Sequence, residues 1–159
     1  TGEVIGFDRH LGSAYAKAEI GAGSRLPNKG NIFISVNDSD KNAIIRIARD
    51  FHEIGFNIIA TRGTSDTLNN NGIRCKHIFK VGEGRPHIVD SIKNNEIHII
   101  INTPLGEQSR YDEYKIGKVA IEYKIPVITT ISGANAVLRA IRIKKQQFNY
   151  LSLQEIFAE

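Results

Sequence analysis

The sequence TRGT at residues 61–64 has the residue types of an oxyanion-binding turn. It follows the apolar run at residues 58–60 and precedes a helix-like stretch that ends at Gly72. Glycine lets the backbone approach a ligand, the first N–H groups of a helix are unpaired, and the helix dipole adds about half a positive charge. Phosphate is a ligand that suits such a turn. The same pattern also suits an ordinary helix start with Thr64 or Ser65 as N-cap.

Polar residues that follow other predicted strands favour the phosphate interpretation. Ligands of an open parallel sheet bind at the carboxyl ends of the strands, where several loops converge. Lys41 and Lys80 follow two of these ends, and each charged contact to a phosphate is worth roughly 1.5–3 kcal/mol. We therefore predict a site for a small anionic ligand at this edge. The other residues predicted to form it are Ser35, Thr61, Gly63, Thr64, Asn102 and Thr103.

Side chains suited to catalysis are few. No Ser-His-Asp arrangement and no metal-ligand spacing of His, Asp and Glu is visible, and the single cysteine excludes an internal disulfide. Asp38, Asp40 and Glu83 have the chemistry of general acids or bases, but helix capping and solvated loops explain them better. His87 alone of the histidines lies near the expected mouth of the site. We predict a binding domain with no catalytic residues, no metal and no cofactor.

Short β-branched runs alternate with amphipathic segments from Asn31 onward, as in βα units around a parallel sheet. Two of the runs are continuously apolar, which is typical of strands covered on both faces. We predict an α/β fold, a three-layer αβα sandwich with a mostly parallel five-stranded sheet. The predicted strands are Asn31–Val36, Asn57–Thr61, Arg74–Phe79, Ile97–Asn102 and Val127–Thr129.

The helices are predicted from apolar spacing and from turn residues. A stripe at i, i+3, i+4 and i+7 predicts a helix from about Asp40 to Ile54, with its stop at Gly55. Shorter helices are predicted after Thr64 and after Pro86, where proline suits the first helical turn. The residues of the stripe are Ile44, Ile47, Ala48 and Phe51.

Residues 1–29 depart from the βα alternation. A predicted helix there is followed by GAGSRLPNKG at residues 21–30, which is rich in loop formers. We predict a linker and a domain boundary near Lys29, so that residues 30–159 form the binding domain. The alternative is that the helix packs onto the sandwich. Its apolar face is predicted to consist of Leu11, Ala14, Tyr15 and Ala18.

Composition limits the class of protein. A chain of 159 residues, 41% hydrophobic and 24% charged, has the size of one ordinary globular domain. The net charge of +4 is spread over helix faces, which suits a small anion better than a nucleic acid. No apolar run approaches the roughly 20 residues that cross a bilayer, and no signal-peptide layout is seen. We expect a soluble cytoplasmic protein without nucleic-acid or membrane partners.

Several segments together resemble a known family. They are FISVNDSDK, GFNIIATRGTSDTLNNNGI, KVGEGRPHIVDSIKN, IIINTP and PVITTISGANA. In this order they resemble the C-terminal allosteric domain of the carbamoyl phosphate synthetase large chain, which has the methylglyoxal-synthase-like fold. The opening TGEVIGFDRHLGSAYAKAEIGAG resembles the last stretch of the synthetase region that precedes this domain. The resemblance covers nearly the whole chain.

The resemblance implies that the chain binds nucleoside monophosphate effectors, uridine and inosine monophosphate, at the strand carboxyl ends. Thr61, Thr64 and their turn would take the phosphate, with charge from two lysines, and Asn102 and Thr103 would hold the sugar or base. Pro104 stands where some members have a threonine, which removes one donor. The matching positions are Lys41, Thr61, Thr64, Lys80, Asn102 and Thr103, with Ser35 nearby.

The resemblance also implies partners. The whole enzyme would make carbamoyl phosphate for arginine and pyrimidine synthesis from bicarbonate, glutamine-derived ammonia and two ATP. ATP and a divalent metal would bind only in the full-length parent, whose other domains and glutaminase small subunit are the expected partners. Some members bind ornithine where this domain meets its neighbour. Thr129 matches one residue of that site, whereas Val127 stands where those members have a tyrosine.

Two alternatives remain open at this point. A methylglyoxal synthase has the same fold and acts on dihydroxyacetone phosphate, but it needs a catalytic aspartate close to the position of Thr103. A threonine does not act as a carboxylate base near neutral pH. The other alternative is a purely structural domain of the synthetase that no longer binds nucleotides.

Overall fold

A computed structural model of the chain describes residues 3–105, 107–144 and 150–157. The strands are β1 Gly30–Val36, β2 Phe56–Ala60, β3 Cys75–His77, β4 Ile99–Thr103 and β5 Val127–Ile128. These five strands are parallel and form one sheet in the order β3-β2-β1-β4-β5. The helices are α1 Leu11–Gly21, α2 Lys41–Glu53, α3 Arg62–Asn70, α4 Ile88–Lys93, α5 Glu107–Glu122, α6 Ile131–Lys144 and α7 Leu153–Ile156.

Helices cover both faces of the sheet. Ile32 and Ile34 of β1 belong to a core that includes residues of α2, α3 and α6, while Phe33 between them belongs to a core with α4 and α5. Successive side chains of a strand point to opposite faces, so each central strand contributes to both cores. The predicted three-layer αβα sandwich is confirmed, and every pairing in the sheet is parallel.

Helix α2 matches its prediction within one residue at each end. All four residues of its apolar stripe are buried, none more than 2% exposed. Gly55 and Gly72 follow α2 and α3 with φ values of +98° and +75°. This left-handed conformation lets glycine end a helix at low cost, so both predicted stops are confirmed.

Two helix starts differ from their predictions. Helix α3 begins at Arg62, so Thr64 and Ser65 lie inside its first turn and neither is the N-cap. The start is earlier because Thr61 N–H still donates to the sheet at Ile34 O, and Ser65 N–H already donates to Thr61 O.

Helix α4 begins only after its N-cap His87, which places Pro86 outside the first turn. Asp90 sets this start, because its Oδ2 accepts from His87 N at 3.1 Å and its N–H donates to His87 Nδ1 at 3.4 Å.

Strand β3 is also shorter than predicted. It lies at the edge of the sheet, and Ile78 beyond it keeps one bond to Ala60 O.

Helix α1 packs against α6, the alternative arrangement considered for it. Its predicted apolar face is confirmed only in part: Tyr15 packs against the core, but Leu11 is 59% exposed and the buried residues are Gly12, Ser13 and Ala16. A Cβ at Gly12 would lie 2.7 Å from Ile143 Cδ1, so small residues permit the close contact of α1 with α6.

The domain boundary near Lys29 stays a prediction. No helix in the described part of the chain has the length and apolarity to span a membrane.

Candidate functional site

A cleft of about 320 Å³ lies at the carboxyl edge of the sheet, between the ends of β1, β2 and β4. Strand register brings its polar residues together, since Ser35 of β1 pairs with Asn102 of β4 and Val36 pairs with Thr103. Five of the predicted site residues line this cleft. They are Ser35, Thr61, Lys80, Asn102 and Thr103.

Asn102 and Lys80 offer free donors to the cleft. Asn102 is only 6% exposed, yet its side-chain amide makes no hydrogen bond to any described residue. Its polar atoms still reach solvent in the cleft, so they are able to bond to a ligand without first breaking a hydrogen bond within the described protein. The Lys80 side chain lines the cleft and forms no ion pair with another described residue. Its backbone is held by Glu83, whose Oε2 accepts from Lys80 N at 3.0 Å.

The hydroxyls of the cleft are loosely engaged. Thr61 Oγ1 donates to Ser35 Oγ across a distance of 3.4 Å, beyond the usual range for two hydroxyls. Thr103 Oγ1 accepts from Asn37 Nδ2 at 3.3 Å. Each of these hydroxyls is therefore able to exchange its partner for a ligand oxygen.

Asn37 joins the loops after β1 and β4. Its backbone N–H and its Nδ2 both donate to Thr103 O, at 3.2 and 3.1 Å, and its Oδ1 accepts from Asp40 N. Nδ2 also donates to Asp40 Oδ2 at 2.8 Å. The residue thereby sets the width of the cleft mouth between the two strands.

Lys41 and Gly63 lie at the rim of the cleft rather than in its lining. The Lys41 ammonium is 3.2 Å from the position that a Cβ of Gly63 would occupy, at the first turn of α3. A larger residue at position 63 would require the ammonium to shift by a few tenths of an ångström. Lys41 Nζ also forms an ion pair of 2.7 Å with Asp38, whose carboxylate is 94% exposed. The hydrogen bond and charge of Lys41, with a weaker effect of Lys80, hold the pKa of Asp38 below its usual value.

Thr64 lies behind the cleft. Its side chain is 1% exposed, and its Oγ1 accepts from Val36 N at 3.3 Å, which joins α3 to the end of β1. The hydroxyl is thus engaged in the fold, while the Thr64 backbone N–H belongs to the first turn of α3, where helix N–H groups have no partner within the helix. Its contact with an effector stays a prediction.

The cleft also has an apolar wall that the sequence reasoning missed. Only polar residues at the strand ends were considered as site residues. An isolated apolar residue in a polar loop, such as Val81, would have indicated the wall. The wall gives the cleft a surface against which a planar ring can pack. It consists of Phe33, Val81, Ile88, Pro104, Leu105 and Ile116.

The acidic residues near the cleft have structural partners. Asp40 and Glu83 accept hydrogen bonds in their own turns, and the hydrogen bond from His87 N lowers the pKa of Asp90. The predicted loop role of Glu83 is confirmed. Asp40 stands at the N-cap of α2, but its carboxylate accepts from Asn37 Nδ2 and makes no capping hydrogen bond to that helix, so its predicted capping is not confirmed. Among the described residues, no group of three His, Cys, Asp or Glu side chains is placed to hold a metal ion.

Thr129, the residue matched to an ornithine site, lies exposed immediately after β5. It is not among the residues that line the cleft. The next residue, Thr130, accepts from Gly133 N at 3.0 Å and so caps α6. Any site at Thr129 would be separate from the cleft.

A comparison with protein-family models decides the family. The model of the MGS-like domain matches residues 43–129, which include β2 to β5 and most of the cleft. The chain belongs to the MGS-like domain family. Similar sequences occur within two longer proteins. The carbamoyl phosphate synthase large chain of Nostoc sp. (strain PCC 7120 / SAG 25.82 / UTEX 2576) is 49% identical over 89% of this chain, which corresponds to 13% of that protein.

The C-terminal section of the carbamoyl phosphate synthase large chain of Aquifex aeolicus (strain VF5) is 47% identical over 99% of this chain and 30% of that protein. This MGS-like domain therefore matches the C-terminal section of such large chains and spans less than a third of their length. The predicted family is confirmed. A methylglyoxal synthase structure from Elizabethkingia anophelis NUHP1 has a TM-score of 0.58, with 17% identity over 71% of this chain and 79% of that one. It supports the fold alone.

Proposed function

We propose that this MGS-like domain is the allosteric regulatory domain of a carbamoyl phosphate synthase large chain, and that its cleft binds a nucleoside monophosphate of the uridine or inosine type. One observation carries the proposal. The Asn102 side-chain amide has no partner among the described residues, its polar atoms reach solvent, and it lines the same cleft as the Lys80 ammonium. These two groups offer hydrogen bonds and charge to one ligand.

The rim next to α3 suits the phosphate. Lys41 lies over the first turn of that helix, at Gly63, and adds a full charge to the N–H groups and dipole of the turn. Thr61 adds a hydroxyl from the lining and Thr64 a backbone N–H. Lys80 approaches from the loop after β3. Phosphate esters carry about −1.5 to −2 charges at neutral pH, which matches two lysines and a helix terminus.

The nucleoside would lie further along the cleft. Asn102, Thr103 and Ser35 have the donors and acceptors to hold ribose hydroxyls or base edges. Val81, Ile88 and the rest of the apolar wall would pack against the base. The cleft volume is near the lower end of the roughly 300–1,000 Å³ found for small-molecule sites, which suits a mononucleotide.

Binding in this cleft would regulate a distant reaction. An effector shifts an equilibrium only by binding two states with different affinity, typically by about 1–3 kcal/mol. The longer chain, with its glutaminase small subunit, would use bicarbonate, glutamine-derived ammonia and two ATP, with a divalent metal, in the cytoplasm. Its product would supply arginine and pyrimidine synthesis. Ornithine would bind beside Thr129, against a neighbouring domain.

Methylglyoxal synthesis is the alternative enzyme activity, and the cleft argues against it. Asp38 carries the only carboxylate among the described lining residues. A general base works best with a pKa near the operating pH, whereas ion pairing lowers the pKa of Asp38. Thr103, at the position where a synthase would carry its aspartate, cannot replace it.

Calorimetric titration of the 159-residue chain with uridine and inosine monophosphates tests the proposal. We expect saturable binding of at least one nucleotide. Absence of heat at millimolar ligand in a folded protein would favour a purely structural domain. A parallel incubation with dihydroxyacetone phosphate separates the alternative, because production of methylglyoxal would replace the regulatory function with a lyase activity.

A further inference from the structure

The ion pair at the rim of the cleft places a carboxylate against Lys41, the lysine proposed above to bind the phosphate. Asp38 Oδ1 lies 2.7 Å from Lys41 Nζ, and Asp38 itself lines the cleft. Lys41 in turn lies over the first turn of α3, where Gly63 leaves room for it. The carboxylate is thus held next to the helix terminus and the lysine that best suit an anion.

We infer that Asp38 is a specificity-determining residue, which occupies the phosphate-binding rim in the free protein as an internal counter-anion. This inference rests on the proposed function of the cleft. An incoming phosphate either displaces the carboxylate from Lys41 or shares the lysine with it. In both cases Asp38 opposes the binding of anions, so it lowers affinity for phosphate-bearing ligands without affecting neutral ones.

The exposure of the pair makes this exchange feasible. The Asp38 side chain is 94% exposed and that of Lys41 is 28% exposed, so the carboxylate can rotate into solvent without leaving a buried charge. Exposed ion pairs contribute little to stability, because water solvates both partners when they separate. The lysine ammonium has three N–H donors, so it can also begin to contact a phosphate before the carboxylate leaves.

A simpler interpretation is that Asp38 only stabilises the beginning of α2. It stands three residues before Lys41 in a short 3-10 turn, where a negative charge favours the helix dipole. The two interpretations differ in one observable. A purely structural Asp38 leaves ligand affinity unchanged when its charge is removed, whereas a counter-anion raises the affinity for phosphate ligands alone.

Asp38→Asn removes the charge and keeps the size of the side chain. Its matched control is Asp66→Asn, because Asp66 is an exposed residue of α3 outside the cleft lining and its replacement changes the net charge equally. Each variant and the original chain are titrated calorimetrically with uridine monophosphate and with uridine. Circular dichroism confirms that each variant is folded.

We expect Asp38→Asn to bind uridine monophosphate about three- to tenfold more tightly, with a smaller gain at high salt. Its affinity for uridine and the affinities of Asp66→Asn should stay within about twofold of the original chain. If the original chain binds the nucleotide and Asp38→Asn gains nothing, or gains equally for uridine, the inference is wrong and the proposed function stands. If neither protein binds the nucleotide at millimolar concentration, the inference and the proposed function are both overturned.

Discussion

The two edges of the sheet differ in how their polar groups are paired. At the amino edge a depression of about 470 Å³ is larger than the cleft at the carboxyl edge, and it too is lined by polar side chains. There Asn57 Nδ2 donates to Asn31 Oδ1 at 3.0 Å, and Asn31 Nδ2 donates to Glu96 O at 2.7 Å. At the carboxyl edge the Asn102 amide has no described partner.

The comparison shows that neither polarity nor volume identifies a binding site in this chain. The asparagines of the amino edge tie β1 and β2 to the segment before β4, so they stabilise the fold. Asn102 at the carboxyl edge is a buried residue, but its side chain forms no hydrogen bond to a described residue. The unpaired Asn102 amide beside Lys80 is the distinguishing feature, because a ligand would bond to it without breaking a hydrogen bond of the described fold.

Replacing one lysine at each edge should give the largest difference in nucleotide affinity between the two edges. We expect Lys41→Ala to weaken binding of uridine monophosphate by about 1.5–3 kcal/mol, or roughly 10- to 150-fold. The loss includes repulsion from Asp38, which then has no adjacent ammonium. Lys76→Ala at the amino edge is the control and should leave affinity unchanged. Equal losses in calorimetry would place the ligand elsewhere.

Thr64 lies at the carboxyl edge, but its hydroxyl already has a structural partner. We expect Thr64→Val to lower the free energy of unfolding by about 1–3 kcal/mol, because Val36 N–H loses its acceptor. Affinity should fall less than in Lys41→Ala, since the backbone N–H remains. Thr64→Ser keeps the hydroxyl and should lose less stability in denaturant titration. A Thr64→Val protein of unchanged stability would contradict this role.

Replacing one asparagine at each edge should lower stability at the amino edge only. We expect Asn102→Leu to weaken nucleotide binding and to change the free energy of unfolding by less than about 0.5 kcal/mol, because its amide bonds to no described residue and its polar atoms reach solvent. Asn31→Leu breaks hydrogen bonds at the amino edge and should lower stability without affecting affinity. Thermal unfolding and calorimetry of both variants test this. A loss of stability in Asn102→Leu would show that the amide is already satisfied.

The pH dependence of unfolding should show the smallest difference between the two edges. The hydrogen bond from His87 N lowers the pKa of Asp90 at the start of α4, which contributes Ile88 to the cleft. The carboxylate therefore stabilises the fold above about pH 4, and this stabilisation disappears as the pH falls through its lowered pKa. Asp90→Asn should weaken this acid dependence of unfolding and leave the range from about pH 5 to 8 flat. Its control is Glu96→Gln, since Glu96 contacts Asn31 only through its backbone carbonyl.

Periodicity predicted the elements whose packing depends on one clear apolar stripe. The stripe of α2 and the continuous runs of β4 and β5 led to the correct layers. Helix α1 was harder, because its packing on α6 uses Gly12, Ser13 and Ala16 rather than Leu11. Close contact between helices selects small side chains, which an analysis of hydrophobic spacing overlooks. The order of the strands was not predicted from the sequence either.

The candidate site was predicted in part. Strand ends indicated Ser35, Asn102 and Thr103 because parallel strands bring their carboxyl ends to one edge. The sequence did not show that the Thr64 hydroxyl is engaged with Val36, since this contact depends on the register of separate elements. The pair of Asp38 and Lys41 is local, but it depends on a short 3-10 turn before α2 that the apolar spacing did not predict. The apolar wall is similarly assembled from several loops and helices.

Mapping backbone amide shifts by NMR during titration of the labelled chain with uridine monophosphate tests the central claim most directly. The predicted result is a saturable set of shifts at the carboxyl edge, at Gly63, Lys80, Asn102 and Thr103, with Asn31, Asn57 and Lys76 unmoved. Shifts confined to the amino edge, or none at millimolar nucleotide, would contradict it.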